Sequence, residues 1–177
     1  MTMSPKGRPE GELVPPGGTA RSAEGAHPSC VPEGLHPLLQ QLFTRHGFTN
    51  VGAENFDAFA GQPGHTLLLF TEDPQRYKET LDIAVIVPEI ARAFAGRFAV
   101  GVLLPDAARA YQPRYGFRRW PAFVMLKDGE YVGAVDGLRD WSEYGAEVVR
   151  LLEAEPTRPP TIGITVTSAG GDAGACH

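Results

Sequence analysis

Cysteine is scarce in this chain of 177 residues, which contains only Cys30 and Cys176. The two lie near opposite ends in segments rich in glycine and proline, and no Cys-x-x-Cys occurs anywhere. A disulfide-stabilised scaffold needs more cysteines in a shorter chain, so that class of protein is excluded. We interpret both residues as free thiols in the tails. The alternative is that they pair, and a thiol-disulfide redox protein that uses these tail cysteines is the rival functional hypothesis.

Metal-binding motifs are also missing. The five histidines are dispersed without an i, i+4 pair, and Cys176 with His177 has no further ligands nearby in the sequence. A metal site needs three or four converging ligands. We therefore expect no metal and no other cofactor.

The chain has neither an excess of positive charge nor a long apolar segment. It carries 16 Lys and Arg against 21 Asp and Glu, a net charge of -5, whereas a nucleic-acid-binding protein usually has a basic surface. Apolar runs such as residues 83–87 are far too short to cross a bilayer, and no apolar signal segment opens the chain. We therefore expect a cytoplasmic protein that binds no nucleic acid and does not insert directly into a membrane.

Composition divides the chain into three parts. Residues 1–33 are rich in proline, glycine and serine, and such a segment cannot bury enough apolar surface to offset the entropy of ordering. They are predicted to form a disordered tail. Residues 156–177 have a similar composition and are predicted to form a flexible C-terminal tail. Residues 34–155 then form a single domain.

Between the tails, hydrophobic patterns of helical and strand type follow one another. An Asp128-Gly129 dipeptide between two apolar runs is typical of a hairpin with a type I′ turn, because glycine accepts the positive φ that this turn requires. The predicted order is a helix at 35–46, a strand at 48–51, a helical turn at 56–59, a strand at 65–71, a helix ending near 96, a strand at 98–104, a helix at 106–115, the hairpin, and a helix at 139–153.

Three positions within these elements carry specific expectations. Asp106 is expected to cap a helix that continues through Tyr115. Pro88 either opens its helix at the first position, where a missing N–H costs nothing, or kinks it. Trp141 is placed on the buried face of the last helix, a face shared with Tyr144, Val148, Leu151 and Leu152.

The order of elements favours one architecture. Strand-helix-strand units give parallel strands joined by right-handed crossovers, and the closing hairpin adds an antiparallel pair. Helices then cover both faces of the sheet. The fold class is therefore α/β, a thioredoxin-like three-layer α/β/α sandwich with a mixed central sheet between disordered N- and C-terminal tails.

The second half of the domain resembles thioredoxins in four short motifs. These are Tyr115-Gly116-Phe117, Trp120-Pro121, Lys127-Asp128-Gly129-Glu130 and Gly137. The resemblance implies a cis peptide bond before Pro121. The alternative is a trans bond at a proline that only ends the preceding segment, since most such bonds are trans.

Active thioredoxins carry two cysteines between the first central strand and the next helix, where the helix start lowers the pKa of the attacking thiol. The matching stretch here, residues 71–80, contains no cysteine. Its two threonines, Thr71 and Thr80, have no neighbouring histidine to act as a base. Thiol-disulfide exchange at this position is chemically excluded, so we expect a binding protein and not an enzyme.

A more specific resemblance covers about residues 35–155. It rests on residues 67–70 with Asp73-Pro74, on residues 79–89, on residues 115–121, and on Gly137 with Trp141. In these segments the chain is similar to the HyaE/HupG/HoxO accessory proteins of uptake nickel-iron hydrogenases, which have a thioredoxin-like fold without the redox cysteines. The resemblance implies a maturation chaperone that binds the precursor of the hydrogenase small subunit, which carries a twin-arginine signal peptide, before export. It also implies other hydrogenase accessory proteins as further partners.

Candidate partner-binding residues follow from this implication. A receptor for two arginines followed by an apolar stretch needs carboxylates, which accept bidentate hydrogen bonds from guanidinium groups, beside an apolar groove. Tryptophan is a common interface anchor. The alternative is that the acids are solvated or complement a helix dipole, and that the arginine pair lies on a solvated loop. The candidates are Glu72, Asp73, Glu79, Asp82, Glu89, Arg118, Arg119, Trp120 and Pro121.

Overall fold

A computed structural model of the protein describes residues 34–160. The predicted N-terminal tail and residues 161–177, and with them Cys30 and Cys176, lie outside the described residues. No helix in this part of the chain combines the length and the apolar character needed to cross a lipid bilayer. The elements are α1 (Pro37–Thr44), β1 (Thr49–Asn50), α2 (Phe56–Ala60), β2 (His65–Phe70), α3 (Glu79–Ala93), β3 (Phe98–Leu103), α4 (Pro105–Tyr111), a 3-10 turn (Gln112–Arg114), β4 (Ala122–Lys127), β5 (Glu130–Asp136) and α5 (Trp141–Glu153).

The strands form one mixed sheet in the order β1-β3-β2-β4-β5. Strands β1, β3 and β2 are parallel, β4 is antiparallel to β2, and β5 is antiparallel to β4. Phe70, the last residue of β2, is opposite Ala122, the first residue of β4, which in turn is opposite Asp136, the last residue of β5. The segments that follow β2, precede β4 and follow β5 therefore meet at one end of the sheet. We call this the loop end, and it comprises residues 71–78, 118–121 and 136–137.

Helices cover both faces of the sheet. Leu67 and Leu69 of β2 pack in an apolar cluster with α1, α3 and α5, whereas Leu68 and Phe70 pack in a second cluster with α2 and α4. Burial on both faces is expected of a central strand in an α/β fold. The three-layer α/β/α fold with a mixed sheet is confirmed.

The turn between β4 and β5 has the backbone that its dipeptide predicted. The φ angle is 52° at Asp128 and 84° at Gly129. A type I′ turn requires positive φ at both central residues. The predicted hairpin is confirmed.

The prediction that Asp106 caps a helix reaching Tyr115 is wrong. Helix α4 starts one residue earlier, at Pro105, and ends at Tyr111. Proline suits the first helical position because its missing N–H has no intrahelical partner there. Pro113 cannot donate a backbone N–H either, so the α-helix gives way to a short 3-10 turn before Tyr115.

Trp141 also departs from expectation. The other four residues predicted on the core side of α5 are buried, but Trp141 is 55% exposed. It is the first residue of α5, and this helix starts near the loop end. The apolar stripe of the helix therefore continues one turn beyond the end of the core.

Pro88 lies inside α3, which begins at Glu79, so the alternative that Pro88 opens this helix is wrong. Its side chain is buried. Because proline has no N–H, the carbonyl of Ala84 lacks its usual helical donor.

The chain after α5 turns back along the domain. The N–H of Thr157 donates to the carbonyl of Tyr131 in β5 at 2.7 Å. The ammonium of Lys127 lies 3.4 Å from the carboxylate of Glu155. Residues 156–160, the first part of the predicted C-terminal tail, therefore lie against the domain.

Candidate functional site

Glu72 is the buried centre of the loop that follows β2. The residue is 4% exposed. Its carboxylate accepts a hydrogen bond from Nε of Arg109 on α4 at 2.8 Å, and its second oxygen accepts from another nitrogen of the same guanidinium. The N–H of Asp73 donates to the carboxylate as well, at 2.8 Å. This bidentate pair ties the loop to α4.

Two threonines complete the attachment of this loop. The hydroxyl of Thr71 donates to the carbonyl of Leu103 at 2.8 Å, and the N–H of Glu72 donates to the hydroxyl oxygen of Thr80 at 3.4 Å. The loop is thus joined to β3, to the start of α3 and to α4. Active thioredoxins hold a reactive thiol in this loop. Here Thr71 and Glu72 are instead engaged in hydrogen bonds within the domain.

The electrostatics of Glu72 follow from these contacts. Burial works to raise the pKa of Glu72, but the side-chain hydrogen bonds from Arg109, the N–H of Asp73 and the nearby guanidinium charge together hold it below its usual value. Glu72 is therefore ionised at neutral pH and serves as a structural anion. It is not free to accept a proton or to bind an external cation.

Asp73 is only half-buried and shapes the next turn of the loop. Its carboxylate accepts the N–H of Gln75 at 2.9 Å, and its carbonyl accepts the N–H groups of Arg76 and Tyr77. A carboxylate that bonds the backbone two residues later forms an Asx-turn.

The acids on α3 separate into two groups. Glu79 and Asp82 lie exposed at the start of α3, where negative charge complements the helix dipole. Glu89 lies ten residues beyond Glu79, about 15 Å along the helix, and forms an ion pair with Arg92. The structure thus places four of the five candidate acids at or beside the loop end and Glu89 away from it.

The segment before β4 forms the second side of the loop end. The peptide bond between Trp120 and Pro121 is cis, as the resemblance implied. Pro121 is buried, and its carbonyl accepts the N–H of Gly137 at 2.8 Å. Trp120 is half-buried and meets Phe117 edge-on, with 5.2 Å between ring centroids.

Asp136 fixes the two arginines that precede this proline. Its carboxylate accepts the N–H groups of Arg118 and Arg119 at 3.1 and 3.2 Å and pairs with the Arg119 guanidinium at 3.2 Å. Burial works to raise the pKa of Asp136, but these N–H groups and the guanidinium hold it below its usual value. Arg119 is therefore engaged within the domain, while the side chain of Arg118 is exposed with no ion-pair partner among residues 34–160.

Three residues that organise the loop end were missed by the sequence analysis. Arg109 is separated from Glu72 by 37 residues, and Asp136 comes from the end of β5. Thr80 was considered only as a weak nucleophile, whereas it is buried and accepts a backbone hydrogen bond. The only local signal was the position of Glu72 directly after a central strand. That position does not identify Arg109 as the partner of Glu72.

The loop end offers carboxylates, guanidinium groups and an aromatic surface, but residues 71–78, 118–121 and 136–137 contain neither cysteine nor histidine. Within residues 34–160 no group of three or more His, Cys, Asp or Glu converges as a metal site would. The arrangement is suited to binding charged and apolar groups. It contains no nucleophile paired with a base.

The sequence of this chain is similar to those of known proteins of one family. The sequence profile of the family described as Hydrogenase-1 expression protein HyaE matches residues 38–144. The hydrogenase expression/formation protein HoxO of Cupriavidus necator is 35% identical over 161 residues, which cover 90% of this chain and 99% of that protein. The hydrogenase expression/formation protein HupG of Bradyrhizobium diazoefficiens is 31% identical over 127 residues, covering 70% and 86% of the two chains.

Among solved structures, a mutant thioredoxin from Halobacterium salinarum NRC-1 superposes with a TM-score of 0.50. It covers 62% of this chain and 93% of its own length at 24% identity. At that identity the likeness shows the thioredoxin-like fold alone.

Proposed function

Because this chain belongs to the HyaE family of hydrogenase expression proteins, we propose that it is a non-enzymatic maturation chaperone. It binds the precursor of a hydrogenase small subunit, through contacts that include the twin-arginine signal peptide, and holds it in the cytoplasm before export. Other hydrogenase accessory proteins are further partners in this proposal. Membership of this family by itself indicates a role in hydrogenase expression and formation.

One observation carries the proposal. The loop that holds the redox cysteines in active thioredoxins carries here the buried carboxylate of Glu72, which is paired with the half-exposed Arg109 of α4, and residues 71–80 contain no thiol. A rigid loop without a nucleophile can present a surface but cannot exchange a disulfide. That combination supports binding over catalysis at this end of the sheet.

The exposed groups at the loop end match the chemistry of the proposed ligand. Asp73, Glu79 and Asp82 can accept hydrogen bonds from the two guanidinium groups of the signal peptide. The ring of Trp120, beside the buried Pro121, can contact the apolar stretch that follows them. In this proposal Glu72 and Arg119 hold the two loops in place, and Glu89 lies outside the contact.

A pull-down with purified components tests the proposal. The protein is expected to retain the small-subunit precursor, and removal of the signal peptide is expected to lower recovery. The double variant Asp73→Asn/Asp82→Asn should lower recovery about three-fold or more, because it removes two negative charges at and beside the loop end. Failure to retain the precursor with or without its signal peptide would contradict the proposal.

A matched control removes the same amount of charge elsewhere. The double variant Glu89→Gln/Glu130→Gln alters two exposed acids, one far along α3 and one at the turn between β4 and β5. It should bind the precursor as the unaltered protein does. An equal loss in both variants would mean that overall charge, and not the loop end, governs binding.

The same assay addresses the rival redox hypothesis. The variant Cys30→Ser/Cys176→Ser is expected to retain the precursor fully and to support hydrogenase maturation in cells. Loss of maturation in this variant, or reduction of insulin disulfides by the unaltered protein, would favour a thiol-disulfide role.

A further inference from the structure

Residues 156–160, which we call the proline segment, cross from one face of the sheet to the other. Helix α5 packs in the apolar cluster with α1 and α3, whereas Tyr115 and Tyr131 belong to the cluster on the opposite face. Between them the N–H of Thr157 bonds the outer edge of β5 at the carbonyl of Tyr131. The segment therefore wraps around the edge strand and reaches the face that carries α2.

The proline segment reads Pro156-Thr157-Arg158-Pro159-Pro160 and is held extended by its sequence. Proline fixes φ near -65°, and a residue that precedes proline is restricted to extended or polyproline II backbone. Ala154, two residues before the segment, has polyproline II angles of -77° and 148°. At its far end Pro160 lies so close to Gly116 that a Cβ atom there would be 3.1 Å from the proline ring.

The proline segment covers one side of an open groove of about 530 Å³, which Pro159 lines. Its other walls are two tyrosine rings, the side of α2 and two glycines, and an ion pair of 3.6 Å between Asp57 and Arg114 stands at the rim. The groove extends from Tyr115, whose ring lies 5.7 Å from that of Phe70 at the end of β2, to the turn between β4 and β5. That turn is about 20 Å from the loop end, along the length of β4. We call it the aromatic groove. It is lined by Phe56, Asp57, Ala60, Gly61, Arg114, Tyr115, Gly129, Tyr131 and Pro159.

The two tyrosines leave hydrogen-bonding capacity unused. Their rings stack at 6.0 Å between centroids, and neither hydroxyl has a hydrogen-bond partner within residues 34–160. Burial raises the pKa of Tyr115 to about 12, so its hydroxyl stays protonated and available as a donor. The groove thus combines apolar walls with two tyrosine hydroxyls that can donate hydrogen bonds to a ligand.

We propose that the aromatic groove binds a proline-bearing extended peptide of the Pro-x-x-Pro type from a partner protein, in competition with the chain's own proline segment. A polyproline II helix has no internal hydrogen bonds, so its carbonyls need external donors such as tyrosine hydroxyls, and aromatic-lined grooves are the usual sites for it. The chain's own segment supports this occupant, because the N–H of Thr157 bonds the carbonyl of Tyr131 and Pro159 lines the groove. The lining of this groove shares no residue with the loop end, and the proposal goes beyond the proposed binding of the hydrogenase precursor.

The test uses full-length protein and a synthetic peptide with the sequence of residues 155–160, blocked at both ends. Backbone amide signals of Gly61 and Gly129, followed by NMR, report on the groove. The variant Pro159→Ala/Pro160→Ala is expected to bind the peptide about five-fold or more tightly than the unaltered chain, since its own segment no longer competes. Replacing Tyr131 with phenylalanine in that variant should weaken binding, because one donor is lost.

The controls separate this proposal from the other one. A peptide in which alanine replaces all three prolines should cause no saturable shifts at the two glycines. Precursor retention should be unaffected in the Pro159→Ala/Pro160→Ala variant, whose spectrum also verifies its folding. The proposal is overturned if the proline peptide causes no saturable shifts in either protein, or if the alanine peptide binds equally well.

Discussion

Replacing Arg109 with methionine is expected to lower the free energy of unfolding by about 1–3 kcal/mol at pH 7, the cost of leaving a buried group without its partner. The side chain of Glu72 is only 5% exposed, whereas that of Arg109 is 46% exposed. The exposed side of the pair is already hydrated, so the loss should fall below that of a fully buried ion pair. Methionine retains much of the apolar stem of arginine but leaves the Glu72 carboxylate without its counter-charge. Urea unfolding of both proteins measures the difference.

The chain offers a matched control for this change. Arg92 and Glu89 form another arginine–glutamate pair, but their side chains are 79% and 48% exposed. Exposed pairs contribute little, so Arg92→Met should change the free energy of unfolding by less than about 0.5 kcal/mol. Equal losses in the two variants would contradict the view that burial of Glu72 sets the cost.

The cost of Arg109→Met is also expected to depend on pH. In the unaltered protein the pKa of Glu72 is lowered, so the pair contributes stability that is present above the unfolded pKa and is lost as pH falls through the folded pKa. In the variant the guanidinium is absent, so burial is expected to raise the pKa of Glu72. The substitution then destabilises the protein less at low pH, because a protonated Glu72 no longer buries an unpaired charge. The difference in unfolding free energy should therefore narrow between pH 7 and about pH 4. A difference independent of pH would exclude Glu72 as its source.

The features that the sequence predicted correctly depend on residues close together in the chain. The Asp128-Gly129 turn follows from the steric freedom of two adjacent residues. The strand predicted at 65–71 follows from a continuous apolar run, which is typical of a strand with both faces covered, and the structure has β2 at His65–Phe70 between two apolar clusters. The cis bond before Pro121 came from a short motif shared with thioredoxins. Local rules were sufficient for the first two, whereas the third depended on the resemblance.

The contacts at the loop end could not be predicted in that way. The partner of Glu72 is 37 residues distant, and nothing around Arg109 in the sequence distinguishes it from the other arginines. Closeness in sequence also grouped Glu89 with the loop acids, although the rise of α3 carries it about 15 Å away. The exposure of Trp141 depends on where the core ends. The spacing of apolar residues in a helix predicts which face they share, but not how far along the helix the core extends. Each of these outcomes is set by packing between elements.

Replacing Trp120 with alanine is expected to weaken binding of the small-subunit precursor about ten-fold or more, if the loop end is the binding surface proposed above. Trp120 is half-buried, supported edge-on by Phe117, and adjacent to the fixed Pro121, so its ring is held in place before a partner arrives. A preorganised aromatic ring loses little entropy on binding. Trp120→Phe should retain most of the affinity because an aromatic face remains. Titration calorimetry with the purified precursor measures both changes.

Trp141 provides the comparison that decides whether position or mere exposure matters. It is the more exposed of the two tryptophans, at 55%, but it is the first residue of α5, four residues beyond Gly137 at the border of the loop end. Trp141→Ala should therefore change the affinity about two-fold at most, since most contact residues outside a hot spot contribute little. If Trp141→Ala caused the larger loss, the binding surface would be centred on α5. The missing thiols at the loop after β2 would then have no bearing on how the precursor is held.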